Sequence, residues 1–394
     1  MTRMRLGDAA RFINGAAFKP TDWVNEGLPI IRIQNLTGTG EHFNYTTRQV
    51  KEELIVEQGD LLVSWSATLD VYRWDGPRGL LNQHIFKVLP SPGVDPAFLY
   101  FALKSVIAEL ESKTHGSTMK HVVRGDFEDT RIQLPGIDEQ RRIVDLLSRA
   151  EGIVRLRRQA RQKAAELIPA MFIDMFGDPA TNPKGWPVQP LSAVSDVISG
   201  VAKGRDLSAD ESIELPYMRV ANVKDGRLDL NEVKTIRIKK TEVEKLRIVP
   251  GDLLMTEGGD PDKLGRAALW RGEIDLCVHQ NHIFKVRNHR DRLVPEYLRS
   301  LVGSAYGKAY FLSVAKKTTG IASINKTQLS AFPVFLPPLA AQENFKRQVE
   351  AVEGIGALQE AAATKAEATF RSLLAGAFTE AGQQMHREME KALT

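Results

Sequence analysis

Cysteine is almost absent from this chain: Cys277 is the single one in 394 residues. One thiol excludes an internal disulfide framework and favours a reducing compartment. Within the apolar stretch IDLCVH it reads as a small buried hydrophobe. Long hydrophobic runs are missing too. No segment approaches the ~18 apolar residues of a spanning helix, and the opening MTRMRLGDAARF has no apolar leader core. The expectation is a cytoplasmic protein with no membrane partner. Charge of one sign hardly dominates, since 53 Lys and Arg face 49 Asp and Glu. The slight basic excess permits nucleic-acid binding without demanding it. With 43% hydrophobic residues, the chain has material for two or three domains with separate cores.

Catalytic constellations are also missing. GSAYGKAY (303–310) has one residue too few between its glycines for a phosphate loop, and Ala where Ser or Thr would hold magnesium. No His/Cys group has zinc spacing and no Gly-x-Ser-x-Gly elbow occurs. The nearest approach to a nuclease is DGRLDLNEVK, where Asp225 or Asp229 precedes Glu232 and Lys234; a hairpin with solvated charges explains it more simply. His84 and His282 have no acidic or cysteine neighbours in sequence. They read as framework residues making buried hydrogen bonds rather than as catalysts.

What is present is a repeat. HIFKV stands at 84–88 and again at 282–286. Upstream, LPIIRIQN (28–35) answers LPYMRVAN (215–222), and QGDLL, with Gly59 and Asp60, answers PGDLL, with Gly251 and Asp252. Downstream, Pro96 and Leu99 answer Pro295 and Leu298, and Leu134-Pro135 with Gln140 answers Leu336-Pro337 with Gln342. The offset grows along the chain, as loop insertions would make it. A period of this length is a whole domain, not a solenoid unit. Identities are sparse between the anchors, so two halves share a framework while the intervening segments have diverged.

Residues 1–135 read as short strands and turns with a helix opened by Asp95 and Pro96; the same order recurs at 190–337, with PEYLRSLVGSAYGKAYF as the matching helix. From Asp138 to about Phe176 the texture changes. Ile143, Leu147, Ala150, Val154, Ala164, Ile168, Met171 and Met175 mark the seam of one long helix, with a kink expected at Pro169. Phe345, Val349, Val352, Gln359, Ala362, Ala366, Phe370, Leu373 and Ala377 mark a second. Residues 141–163 hold eight Lys/Arg against two Asp/Glu, and residues 341–370 hold three against five. Opposite charge beside an apolar seam predicts that the two helices pair.

Two diverged domains, each followed by a long helix, resemble the specificity subunit of type I restriction-modification enzymes, over nearly the whole chain. Each recognition domain of that family ends in a signature entering a helix. Here it reads Ile132, Leu134, Pro135, Glu139, Gln140, Ile143 and Leu147. The second copy reads Val334, Leu336, Pro337, Pro338, Gln342, Phe345 and Val349, with Ala341 in place of the Glu and Phe345 in place of the Ile. The resemblance implies an α/β fold with two tandem target recognition domains related by pseudo-twofold symmetry and separated by antiparallel coiled-coil-like helices. The implied segments are 1–137 (first recognition domain), 138–177 (first spacer helix), 178–337 (second recognition domain, with a linker at 178–190) and 338–394 (second helix and tail).

The resemblance further implies a non-catalytic subunit that reads a bipartite site in double-stranded DNA and docks two methyltransferase subunits and restriction (motor) subunits. It implies no cofactor of its own, with S-adenosylmethionine, ATP and magnesium held by the partners. Arg, Asn and Gln suit base edges and Lys suits phosphate. The nominated DNA-binding residues are therefore Arg32, Gln34 and Asn35 in the first half and Lys203, Arg219 and Asn222 in the second, with Lys120, Lys316 and Lys317 for phosphate. Arg157 and Arg158 are nominated for partner docking. Two rival readings remain: a tandem protein-binding scaffold, and a self-contained nuclease using Asp225, Glu232 and Lys234.

Overall fold

The computed structural model describes residues 2–40, 42–66, 68–113, 124–260, 264–318 and 320–378. The chain divides into two compact units: residues 1–158 together with the chain from 361 onward, and residues 159–360. This cuts across the linear segmentation, because each long helix contributes to both units.

In the first unit an antiparallel sheet runs Ala10–Asn14, Ile85–Pro90, Leu61–Ser64, Asp70–Arg73 in spatial order. A second sheet runs Asn44–Thr46, Leu28–Ile31, Gly79–Leu81, Ile55–Val56, its middle pair parallel. The second unit repeats the scheme. Ser195–Ser199, Ile283–Asn288, Leu253–Thr256 and Ala267–Leu269 form the first sheet. Lys234–Lys239, Ser212–Met218 and Val278–His279 form the second, again with a parallel pair.

The duplicated pentapeptide is explained by this arrangement. Successive strand residues face opposite sides, and both sides are apolar here. Ile85 joins a core with Ile31, Leu62 and Leu81, while Phe86 and Val88 join another with Phe12, Leu61 and Val63. Ile283 and the pair Phe284 and Val286 are divided between two cores in the same way. The lysine between them is buried and used. Lys87 Nζ donates to the Ile55 carbonyl at 2.7 Å and pairs with Asp60 at 2.6 Å. Lys285 Nζ donates to the carbonyls of Lys245 and Arg247 at 2.8 and 2.7 Å. Burial pushes the Lys285 ammonium down to about 8. In the second unit the aspartate of the GDLL turn, Asp252, is instead held by both arms of Arg287 at 2.7 Å. Gly15 and Gly200 are a second matched pair: a Cβ at either would meet a backbone carbonyl oxygen, of Asn82 at 2.0 Å or His279 at 2.1 Å.

A matched glutamine ties each helix entry to its sheet domain. Buried Gln140 accepts from Asp95 N–H at 2.8 Å and donates to the carbonyls of Gly93 and Pro135 at 3.0 and 2.9 Å. Gln342 accepts from Val294 N–H at 2.9 Å and donates to Arg292 and Pro337 carbonyls at 3.2 and 2.9 Å. Every polar atom of each amide is used, which accounts for Gln standing at both positions while the preceding Glu does not.

The helix opened by Asp95 runs Pro96–Lys113. Its expected counterpart is two helices, Pro295–Gly303 and Ala305–Val314, because Ser304 caps the second through a bond from Gly307 N–H at 3.2 Å.

The long helices are Ile137–Phe176, which continues through Pro169, and Leu339–Ala377. Within the first unit Ile143 and Leu147 share a core with Phe370, Leu373, Leu374 and Ala377, and Arg158 pairs with Glu367 at 2.9 Å. Within the second, Phe172 and Phe176 pack on Phe345, and Arg161 pairs with Glu360 at 2.8 Å. Early residues of one helix thus meet late residues of the other: the pairing expected from the seam and its charges, in the antiparallel sense that the resemblance implied. Beyond Pro169 the buried seam lies one residue later than the spacing suggested: Phe172 and Phe176 are buried, whereas Met171 and Met175 are only partly so. Among the described residues no helix is long and apolar enough to cross a membrane.

Candidate nucleic-acid interface

The strand Leu28–Ile31 ends in a short helix, Ile33–Thr37, entered at Arg32. Asn35 closes this entry. Its Oδ1 accepts from Arg32 N–H at 3.0 Å and its Nδ2 donates to the carbonyls of Gly40 and His42 at 3.2 and 3.3 Å. The second unit builds the same bracket: Asn222 accepts from Arg219 N–H at 3.0 Å and donates to Asp229 and Glu232 carbonyls at 2.8 and 3.0 Å. Both asparagines were nominated as base readers. Their amide atoms are committed to backbone, and Asn222 is 3% exposed, so they shape the loops rather than present a free edge.

Around the brackets the two units differ. Arg32 places its guanidinium over the Trp23 ring at 5.5 Å, and Gln34 is exposed. Arg219 is turned inward, donating to the Glu232 carbonyl at 2.7 Å and its carboxylate at 3.1 Å, with 15% of the side chain exposed. The Arg219 bond, and then that of Lys234, hold the Glu232 carboxyl below the usual carboxylate range. Exposed Lys203 sets its ammonium over Tyr217 at 5.7 Å. Lys316 and Lys317 are exposed on the strand Lys316–Thr318. Lys120 lies outside the described residues. Arg157 and Arg158 are exposed on the first long helix, Arg158 in its pair with Glu367.

The residues of the nuclease reading are already paired. Asp225 takes Lys308 Nζ at 3.0 Å, and Glu232 takes Arg219 and, at 3.3 Å, Lys234. No group of three His, Cys, Asp or Glu suited to a metal ion occurs among the described residues. Cys277 is buried, as expected, and burial pushes its thiol up to about 12.

The repeated histidines depart from expectation. His84 is partly buried, its ring 5.4 Å from that of Trp65, with Nε2 at 3.2 Å from the Gln83 amide. His282 is 56% exposed in its side chain and bonds Glu257 through Nδ1 at 2.6 Å. Trp65 and Glu257 are equivalent, since each donates its backbone N–H to the carbonyl of its unit's histidine, at 3.3 and 3.0 Å. Sequence reading passed over this position because the partner lies far away in the chain. The signal was available in the residue that follows each GDLL strand.

Comparison with known proteins follows the same lines. Residues 1–166 match the family model described as "Type I restriction modification DNA specificity domain". The chain is 24% identical over 378 residues to the type I restriction enzyme EcoBI specificity subunit of Escherichia coli, covering 88% of this chain and 78% of that protein. It is 21% identical over 407 residues to the StySPI specificity subunit of Salmonella potsdam, covering 93% and 86%. A chain from a structure of complex assembly and conformational transition in a type I R-M system superimposes with TM-score 0.56 at 17% identity, covering 96% of this chain and 98% of that one.

Proposed function

We propose that the chain is a specificity subunit of a type I restriction-modification system, the DNA-recognition subunit of such a complex, as the match of residues 1–166 to the specificity-domain model and the likeness to specificity subunits along most of the chain support. In this reading each unit reads one half of a bipartite duplex site. The observation that carries it is the pairing of a common frame with unlike loop chemistry. The Asn35 and Asn222 brackets, the Lys87 and Lys285 anchors and the Gln140 and Gln342 clamps are the same device twice. Arg32 and Arg219, or Trp65 and Glu257, stand at equivalent places with different surroundings. A constant scaffold with variable edges suits two different half-sites.

The subunit is non-catalytic in this proposal. The methyltransferase subunits supply S-adenosylmethionine chemistry, and restriction subunits supply ATP- and magnesium-dependent steps. Docking falls to the long helices, where Ile153 and Leu156 are large apolar side chains 52% and 60% exposed, next to Arg157. Exposed apolar residues beside charge are a common make-up of protein contact surfaces.

A domain exchange tests the reading. Replacing residues 1–135 by the first domain of another family member, in cells carrying the partner subunits, changes one half of the methylated sequence and leaves the other half as it was. Alteration of both halves would refute independent reading. Affinity of the assembled complex for its duplex falls steeply with salt if phosphate contacts dominate, whereas a protein scaffold shows no such duplex binding.

A further inference from the structure

We propose that His282, held by Glu257, reads a base of the half-site served by the second unit, with Lys316 and Lys317 fixing the adjoining phosphates. This rests on the DNA-recognition reading above and names residues within it.

The geometry is that of a presented side chain. A carboxylate only accepts, so the 2.6 Å contact makes Nδ1 the donor and fixes the ring. Nε2 has no partner among the described residues, and it is the one polar ring atom left for a ligand. Glu257 is itself anchored by main chain on both sides, its N–H donating to His282 O at 3.0 Å and its carbonyl accepting from Ile324 N–H at 2.8 Å. A fixed ring costs less entropy on binding than a free one.

The neighbourhood is a short ribbon. Gly258–Gly259, directly after Glu257, pairs with Ile321–Ser323, which pairs with Lys316–Thr318. Gly258 and Lys316 both face Ser323 in register. At ~4.8 Å per strand, the Lys316 backbone lies ~10 Å from Gly258. Its outer pair, Lys316–Thr318 with Ile321–Ser323, is a two-stranded ribbon of the kind the major groove admits. Gly258 lets the ribbon close, since a Cβ there would meet Ala322 O at 3.0 Å, and the two exposed lysines supply phosphate contacts beside a base-directed group.

The first unit is an internal contrast. His84 occupies the same place, but Trp65 replaces the carboxylate and packs against it at 5.4 Å and against Phe86 at 5.8 Å. There the histidine belongs to an aromatic cluster. Nε2 of His282 accepts from the exocyclic amine of adenine or cytosine when the ring is neutral and donates to guanine when it is charged, so the base affected in a variant identifies the contact.

The test uses the full chain assembled with its methyltransferase subunits, and duplexes in which each position of both half-sites carries each of the four bases. His282→Ala lowers discrimination ~10- to 100-fold at one position of one half-site and leaves the other half-site unaltered. Glu257→Ala weakens the same position, and Lys316→Ala lowers affinity for all sequences alike with a shallower salt dependence. Unaltered discrimination in His282→Ala, or an equal loss for every sequence, overturns the proposal. Weaker assembly, with discrimination intact in the complex that does form, would reassign the pair to a protein contact and overturns it as well. If His282→Ala does not assemble, the same readout on His282→Gln decides. A wild-type complex without sequence-dependent binding would instead remove the DNA-recognition reading itself.

Discussion

Replacing Gln342 by Leu keeps the volume of a fully buried side chain and removes all three of its hydrogen bonds. The side chain is 0% exposed, so water cannot substitute. Three partners are left unmade: the Val294 N–H and the carbonyls of Arg292 and Pro337. A buried backbone group without a partner costs about 1–3 kcal/mol, partly offset by the gain from an apolar side chain. We expect a loss of about 3–5 kcal/mol, a large share of the ~5–15 kcal/mol typical of a folded domain. Gln342→Glu keeps the acceptor for Val294 but turns a carboxyl toward two carbonyls, so it also destabilises, and less so at low pH, where the protonated acid donates to one of them. Urea denaturation followed by fluorescence reads both units, through Trp74 in the first, 5% exposed, and Trp270 in the second, 1% exposed, and Trp74→Phe leaves the buried signal to the second. The same change at Gln140 is expected to act alike in the first unit. A loss below about 1 kcal/mol for Gln342→Leu would refute the view that these amides hold the helix entries.

Burial pushes the His279 ring down to about 4, with Nδ1–H donating to the Ile283 carbonyl at 3.0 Å. Unfolded histidine therefore binds a proton that the folded ring refuses, so stability is full above pH ~6.5 and falls as the pH drops toward 4; His279→Leu should flatten that slope in denaturation curves taken across the range. Arg157→Glu should reduce co-purification with methyltransferase subunits while the circular dichroism of the chain stays unchanged. Arg158→Glu also breaks the pair with Glu367, an exposed contact of ~0.2–1 kcal/mol, so a melting shift larger than a few degrees would contradict the structure. Purified chain with magnesium should leave supercoiled plasmid intact; nicking abolished by Asp225→Asn would restore the nuclease reading.

Much of the architecture was legible because it depends on local pattern and on repetition. HIFKV, GDLL and Leu-Pro with its following Gln mark strands and turns whose side chains meet the same surroundings twice, and the helical seam with its opposite charges sufficed to predict that the long helices pair, their antiparallel sense coming from the family resemblance. What the sequence could not decide is which polar atoms are free. Arg32 and Arg219, or Asn35 and Gln34, are equally good base readers as letters. Only the folded chain spends Asn35 and Asn222 on backbone and turns Arg219 toward Glu232, because their partners lie in loops whose approach is set by sheet packing. The break at Ser304 turned on a capping bond, and the seam beyond Pro169 turned on which helix face met Phe345. His282 shows the same division. Its place beside a repeated strand is written in the sequence, but its exposure and its bond to Glu257, 25 residues away, arise from strand pairing between Leu253–Thr256 and Ile283–Asn288.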